Sequence, residues 1–270
     1  MTRSNPNKLV FLLLCFLLSS ALQAGSQWVG VSSQSPAASH ITTTGNTSTS
    51  SEISVEVPGF YLNQSVFEGK SYKLPQIPDG HPILAKGSPD LQKLSFTLQL
   101  PINGNMEISI ISSKYTEYTD IDIMPSAGDE IRNGSIETVT KGDVYKTNAF
   151  YPGEFVVSGL PFIIRNARAQ AFQVYPFQYN PVTRVLRFYY QLTIKAVNSP
   201  DNGVNPMKEN DHRTKAIEGI NVDFINHSSS LLKSGQLPSD RGSMLIICPD
   251  SYRKAIEPLA DWRKQTVRRP

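Results

Sequence analysis

Arg184-Val-Leu-Arg-Phe-Tyr-Tyr-Gln-Leu-Thr-Ile-Lys-Ala196 decides the fold class. Leu186, Phe188, Tyr190, Leu192, Ile194 and Ala196 fall on one face of an extended chain. Arg187, Tyr189, Gln191, Thr193 and Lys195 fall on the other. A period of two with one apolar face is the mark of a half-buried strand in an antiparallel sheet. Tyr189 is read as a surface ring on the polar face. The segment Tyr179-Asn180-Pro181-Val182-Thr183 just before it carries turn chemistry, so Ala169–Phe177 and Arg184–Ala196 are expected to pair as a hairpin.

The same period recurs upstream. Leu94, Phe96, Leu98 and Leu100 alternate with Lys93, Ser95, Thr97 and Gln99. Met106, Ile108 and Ile110 alternate with Glu107 and Ser109, and Ile121 and Ile123 with Asp120 and Asp122. Short strands punctuated by Pro and Gly turns, with almost no helical pattern, predict an antiparallel β-sandwich over residues 52–198. Residues 25–51 are dominated by Ser, Thr, Gly and Ala and read as a flexible linker. Trp28 stands out in it unexplained. Residues 199–241 are polar and turn-rich and read as a second linker.

The period changes after Gly242. Met244–Cys248 (MLIIC) is a continuous apolar run, expected to be a fully buried strand of a parallel sheet. Asp250 or Ser251 then caps a helix whose apolar face carries Tyr252, Ile256, Leu259 and Trp262, with the main helix starting near Ala255 to Pro258. A strand and a helix open an α/β domain that residues 242–270 are too short to complete. The fold class is therefore mostly β: an antiparallel sandwich followed by an incomplete α/β segment.

Residues 1–24 read as a secretory signal. Arg3 and Lys8 precede the apolar run Leu9–Leu18, which is too short to span a membrane, and small residues lead to a cut after Ala24. Its removal takes the net charge from +3 to +1. That small, scattered charge argues against a nucleic-acid partner, and signal removal leaves no stable membrane anchor. Cys15 leaves with the signal. Cys248 remains as a packed thiol with no nearby base, so stability falls to the hydrophobic core. His81, His212 and His227 lack metal-ligand spacing. No acid pair or phosphate loop marks a catalytic site, and no metal or cofactor is expected.

Three stretches resemble the gingipain-type cysteine peptidase precursors. Phe150-Tyr-Pro-Gly-Glu154, Pro161-Phe-Ile-Ile-Arg165 and Gln178-Tyr-Asn-Pro-Val-Thr183 resemble their propeptide in order and spacing. Gly80-His-Pro-Ile-Leu84 and Ile123-Met-Pro-Ser126 resemble its earlier half. Met244–Ile247 with Ile256–Gln265 resembles the start of the caspase-like catalytic domain. The match covers roughly residues 52–265. The resemblance implies a secreted or cell-surface zymogen. Its β-sandwich pro-domain assists folding and secretion and blocks the cleft of the cognate catalytic domain until it is cut off.

The resemblance places the catalytic His and Cys outside this sequence. The chain is thus expected to be inactive alone, and the tail 266–270 departs from the family as a truncated gene or fragment would. Arg132, in the Gly/Asn-rich loop 129–135, is the candidate to plug the specificity pocket as a substrate side chain would, and Lys141 competes with it. Arg241 before the apolar run is the candidate cleavage junction, with Lys233 and Arg213 as rivals. The alternatives are a stand-alone surface adhesion sandwich and the N-terminal part of a secretion-system processing peptidase.

Overall fold

A computed structural model describes residues 26–45, 50–129, 139–164, 167–199, 203–207, 224–226 and 244–267. The chain divides into two compact units, and the described part of the second is residues 244–267. In the first, β1 (Gln27–Gly30), β2 (His40–Thr44), β3 (Ser50–Glu56), β4 (Gly59–Phe67), β5 (Lys70–Gln76) and β6 (His81–Pro82) come before β7 (Gln92–Leu100) and β8 (Asn105–Tyr118). β9 (Val156–Ser158), β10 (Phe162–Ile164), β11 (Ala167–Val174), β12 (Phe177–Asn180) and β13 (Val185–Ser199) follow.

β13 organises one five-stranded antiparallel sheet. β8 runs along one edge of it, from Leu186 to Ser199. β12 and β3 share its other edge, pairing Val185–Phe188 and Gln191–Val197, and β2 lies outside β3. The expected strand is therefore present. A register shift at Tyr190 bends it, and one extra residue there re-aims the side chains that flank it. Tyr189 is accordingly not a surface ring: it is buried, with Phe155 4.8 Å and Tyr115 4.9 Å away between ring centres.

The second five-stranded sheet has β7 between β6 and β11, with β9 and β10 end to end on the far side of β11. The expected hairpin is half realised. β12 and β13 pair across the 181–184 turn, where Asn180 Oδ1 accepts from the Val182 and Thr183 N–H groups. β11 pairs instead with β7, because the chain changes sheet at Tyr175-Pro176. The Tyr175 N–H goes to Phe155 O, and Pro176, with no N–H to give, accepts from Tyr189.

The inward faces of both sheets form one core. Ile53 and Val55, Leu94, Phe96 and Leu98, Phe172, Phe177, Phe188 and Ile194 belong to a single buried cluster. Phe60 sits among Phe177, Phe188 and Tyr118 at 5.2, 4.7 and 5.5 Å. Each such ring or Leu contributes roughly 1.5–3 kcal/mol by burial. This is the antiparallel β-sandwich that the alternation predicts.

The third sheet, β1-β4-β5, corrects the reading of residues 25–51 as a linker. Trp28 on β1 packs edge-on against Tyr61 at 5.2 Å, and its Nε1 donates to Ser33 O. β2 pairs along all of its length with β3. Ser and Thr suit such strands because one side is half exposed. The β4–β5 turn needs Gly69: φ is positive at both Glu68 and Gly69, the signature of a two-residue hairpin turn. Residues 119–125 are irregular and not a strand, although Ile121 and Ile123 are buried as their alternation suggests.

In the second unit, a one-turn 3-10 helix (Asp250–Tyr252) leads into α1 (Arg253–Val267). The helix starts before Pro258 and includes it. Proline lacks the N–H that the carbonyl of Lys254 would accept there. Residues 244–249 are extended and belong to no strand. Leu245 is 84% and Ile247 87% exposed, and Cys248 is half-buried. The run is therefore not the buried strand expected from its composition: burial needs flanking strands, and the described residues supply none to it.

Candidate functional site

The sequence nominates the loop 129–135, with Lys141 a competitor beyond it; Ser126 and Gly142 flank this stretch. Residues 130–138, with Arg132, lie outside the described residues, but both legs of the loop are defined, and they meet at Gly87. On the outgoing leg Met124 O accepts from Asp90 N–H (2.8 Å), Ser126 N–H donates to Ser88 O (2.8 Å) and Gly87 N–H donates to Ser126 O (2.9 Å). On the returning leg Gly142 N–H donates to Gly87 O at 2.8 Å. Gly87 has φ +74°, and a Cβ there would stand 3.2 Å from Gly142 N and 3.3 Å from Thr140 O. Only glycine takes that backbone shape without strain and also leaves room for the returning leg.

A charged knot fastens the returning leg. Lys141 Nζ lies 3.1 Å from Asp122 Oδ1, and Lys70 Nζ 2.7 Å from Asp122 Oδ2. The Lys141 ammonium also stands 4.7 Å from the centre of the Tyr145 ring and 5.3 Å from that of Tyr72. Burial of Asp122 works against its charge, but the hydrogen bonds from Lys70 and Lys141 outweigh burial and hold the carboxyl below its usual range. The Tyr145 hydroxyl donates to Ile123 O at 2.8 Å, tying the two legs together. Burial pushes that phenol far above its usual range, so it stays protonated. Lys141 is thus committed to the root of the loop.

Two of the motifs that carried the family resemblance meet beside this root. Tyr151 and Tyr179 exchange N–H···O bonds of 2.9 and 2.8 Å. Gln178 brackets the turn, its Oε1 accepting from Gly153 N–H and its Nε2 donating to Glu154 O. The buried Tyr179 hydroxyl donates to Ile121 O at 2.8 Å. Phe150-Tyr-Pro-Gly-Glu154 and Gln178-Tyr-Asn180 are therefore two halves of one clamp that supports the segment leading into the loop.

Other nominated positions fall elsewhere. Ala24, Arg213, Lys233, Arg241, His212 and His227 lie outside the described residues. His81 is exposed, and no three His, Cys, Asp or Glu side chains converge as a metal site among the described residues. The pairing of Asp122 with Lys70 and Lys141 was missed by sequence reasoning, since Lys70 and Lys141 lie far apart in the chain. So was Arg168, fully buried on β11. Its Nε, Nη1 and Nη2 donate to Asn205 O (2.9 Å), Pro101 O (3.2 Å) and Val204 O (2.6 Å). Residues 203–207 are thereby part of the first unit, although composition assigned them to a linker.

The family model described as Propeptide_C25 matches residues 35–227, a stretch that takes in the whole sandwich, the loop root and the clamp. The chain belongs to the Propeptide_C25 family. Propeptide_C25 relatives include gingipain R2 of Porphyromonas gingivalis strain W83, 30% identical over 197 residues, or 72% of this chain and 27% of that protein. Gingipain R1 of the same species is 29% identical over 195 residues, 72% of this chain and 20% of that protein. The chain thus spans about a quarter of their length.

Among solved structures, the complex of Porphyromonas gingivalis RgpB pro- and mature domains is similar with a TM-score of 0.59 and 27% identity. The match covers 63% of this chain and 90% of that one. A structure concerned with the zymogenic latency of gingipain K matches with a TM-score of 0.57 at 16% identity, over 65% of this chain and 99% of that one. At that identity it speaks for the fold alone.

Proposed function

We propose that this chain is the pro-domain region of a gingipain-like cysteine endopeptidase precursor and that its folded body blocks the peptidase cleft until proteolysis separates the two. The observation that carries the reading is the anchoring of the chain on either side of residues 130–138, by Gly87 and by the Lys70–Asp122–Lys141 knot. The segment between the two anchored ends, 130–138, carries Arg132. Arg132 is its plug: a long cation presented where a substrate side chain enters. Lys141 is the weaker candidate, because its ammonium already serves the root. The kinship with gingipains R1 and R2, and the likeness to a structure of pro- and mature domains, support a peptidase domain as the partner.

The same reading gives the remaining segments their roles. Residues 1–24 direct export, so the product acts outside the cell or at its surface. The sandwich assists folding and secretion. Arg241 is the junction cut at activation, and residues 244–265 open the catalytic domain, whose sheet would bury Met244–Cys248. On its own the chain hydrolyses no peptide.

The test mixes the chain from residue 25 onward with the mature domain of gingipain R2 and follows hydrolysis of an Arg- or Lys-containing peptide. Saturable inhibition is expected, with an inhibition constant raised roughly 100-fold or more by Arg132→Ala, the loss of a buried charge pair. An unchanged constant in that variant would remove Arg132 from the role.

A further inference from the structure

Beyond Gln92 and Lys93, which β6 covers, the outer edge of β7 is met by residues from much later in the chain. Ile225 N–H donates to Thr97 O at 3.2 Å. Asn226 then forms a closed pair with the main chain of Gln99: Oδ1 accepts from its N–H at 2.8 Å, and Nδ2 donates to its carbonyl at 3.0 Å. One side-chain amide supplies what the peptide group of a neighbouring strand would supply. On the other side the Thr43 hydroxyl of β2 donates to Ile225 O at 2.8 Å, and Phe224 is buried. β2 is the outermost strand of the other five-stranded sheet. Three residues thus span from the edge of one sheet to the edge of the other.

We propose that Phe224–Asn226 is a latch that closes this open side of the sandwich, and that the place of a chain cut relative to it decides in what form the domain is released. The earlier return, residues 203–207, is held independently by Arg168. A cut at Arg213 leaves the latch on the wrong side, joined to the body, among the described residues, through a three-residue contact. Such a contact does not offset the entropy of holding two separate chains together. The edge of β7 is then bare, and a bare edge is a template for strand addition by a second copy of this chain. A cut at Lys233 or Arg241 leaves the latch in place and the domain closed. The choice among the cleavage junctions thus becomes a choice between a capped and a self-associating product. Its biological setting rests on the precursor reading; its contacts do not.

The test uses two versions of the chain from residue 25 onward, each with a recognition sequence for a site-specific protease, one within 209–222 and the other within 228–240. Each is cut and examined by amide hydrogen exchange and light scattering. After the first cut the Gln99 amide is expected to exchange roughly tenfold faster or more, with growth of dimers and larger species. After the second cut both readouts are expected to match the uncut chain. Asn226→Ala in the uncut chain gives the same acceleration at Gln99 with no cut at all. Equal Gln99 protection in the two cut forms, or in Asn226→Ala, overturns the latch. The Arg132 inhibition experiment is unaffected by either result, so the two readings fail separately.

Discussion

Replacing Arg168 with Met tests whether the folded body continues past its last strand. The side chain is 1% exposed and donates to three main-chain carbonyls, two of them in the 203–207 return. Among the described residues no carboxylate pairs with it. Met keeps the apolar stem and removes the fork. Three charge-assisted bonds are lost, each worth about 1.5–3 kcal/mol, and three carbonyls are left to find water. Against this, a desolvated charge disappears, which returns several kcal/mol. The balance is a loss of about 3–5 kcal/mol, in the range seen when a buried charge network is broken. A domain of this size loses about 2–4 °C in Tm per kcal/mol, so a fall of roughly 6–20 °C is expected. Urea denaturation followed by Trp fluorescence measures it directly. Arg168→Lys, which keeps the charge but reaches fewer acceptors, is expected to lose about half as much. A loss below about 1 kcal/mol for Arg168→Met would mean that residues 203–207 do not depend on the guanidinium.

Three further outcomes follow from the loop root and the clamp. Asp122→Asn removes a carboxyl that Lys70 and Lys141 hold below its usual range. The stabilisation it gives is complete above the ordinary carboxylate value of 3.8 and is lost as pH falls through the lower folded value, so the wild-type and variant melting curves are expected to differ at pH 7 and converge in strong acid. Gly87→Ala places a methyl group against the returning leg at a positive φ. It is expected to weaken inhibition more than it lowers Tm, measured on the same preparations. Tyr179→Phe orphans the buried carbonyl of Ile121 and is expected to cost about 1–2 kcal/mol in urea denaturation.

Alternation made the sandwich legible wherever one face of a strand meets the core and the other meets solvent, as in β7 and β13. It was silent where that condition failed. In β11 both faces are buried at Ala167–Gln170, and Arg168 looks like a solvent residue until its partners arrive 36 and 37 positions later. β1 and β2 looked like linker because they are short and partly exposed and lie in a Ser/Thr-rich stretch. Met244–Cys248 erred in the opposite sense: its composition demands burial, and only neighbouring strands can provide it. Of the candidate site, the motifs flanking the loop were visible as a resemblance. Their pairing through Tyr151 and Tyr179, the Asp122 knot and the Asn226 contact with Gln99 were not, because each joins residues distant in the chain and none leaves a local pattern.

The most direct measurement asks whether the pro-domain shields the reacting thiol of its partner. The mature domain of gingipain R2 is labelled with a fluorescent reagent directed at its active-site cysteine, with and without an excess of this chain from residue 25 onward. The account predicts that labelling slows in proportion to the chain added and recovers when the loop carries Arg132→Ala. Unchanged labelling in a mixture that demonstrably forms a complex would contradict it, since a bound body that leaves the thiol open does not block the cleft.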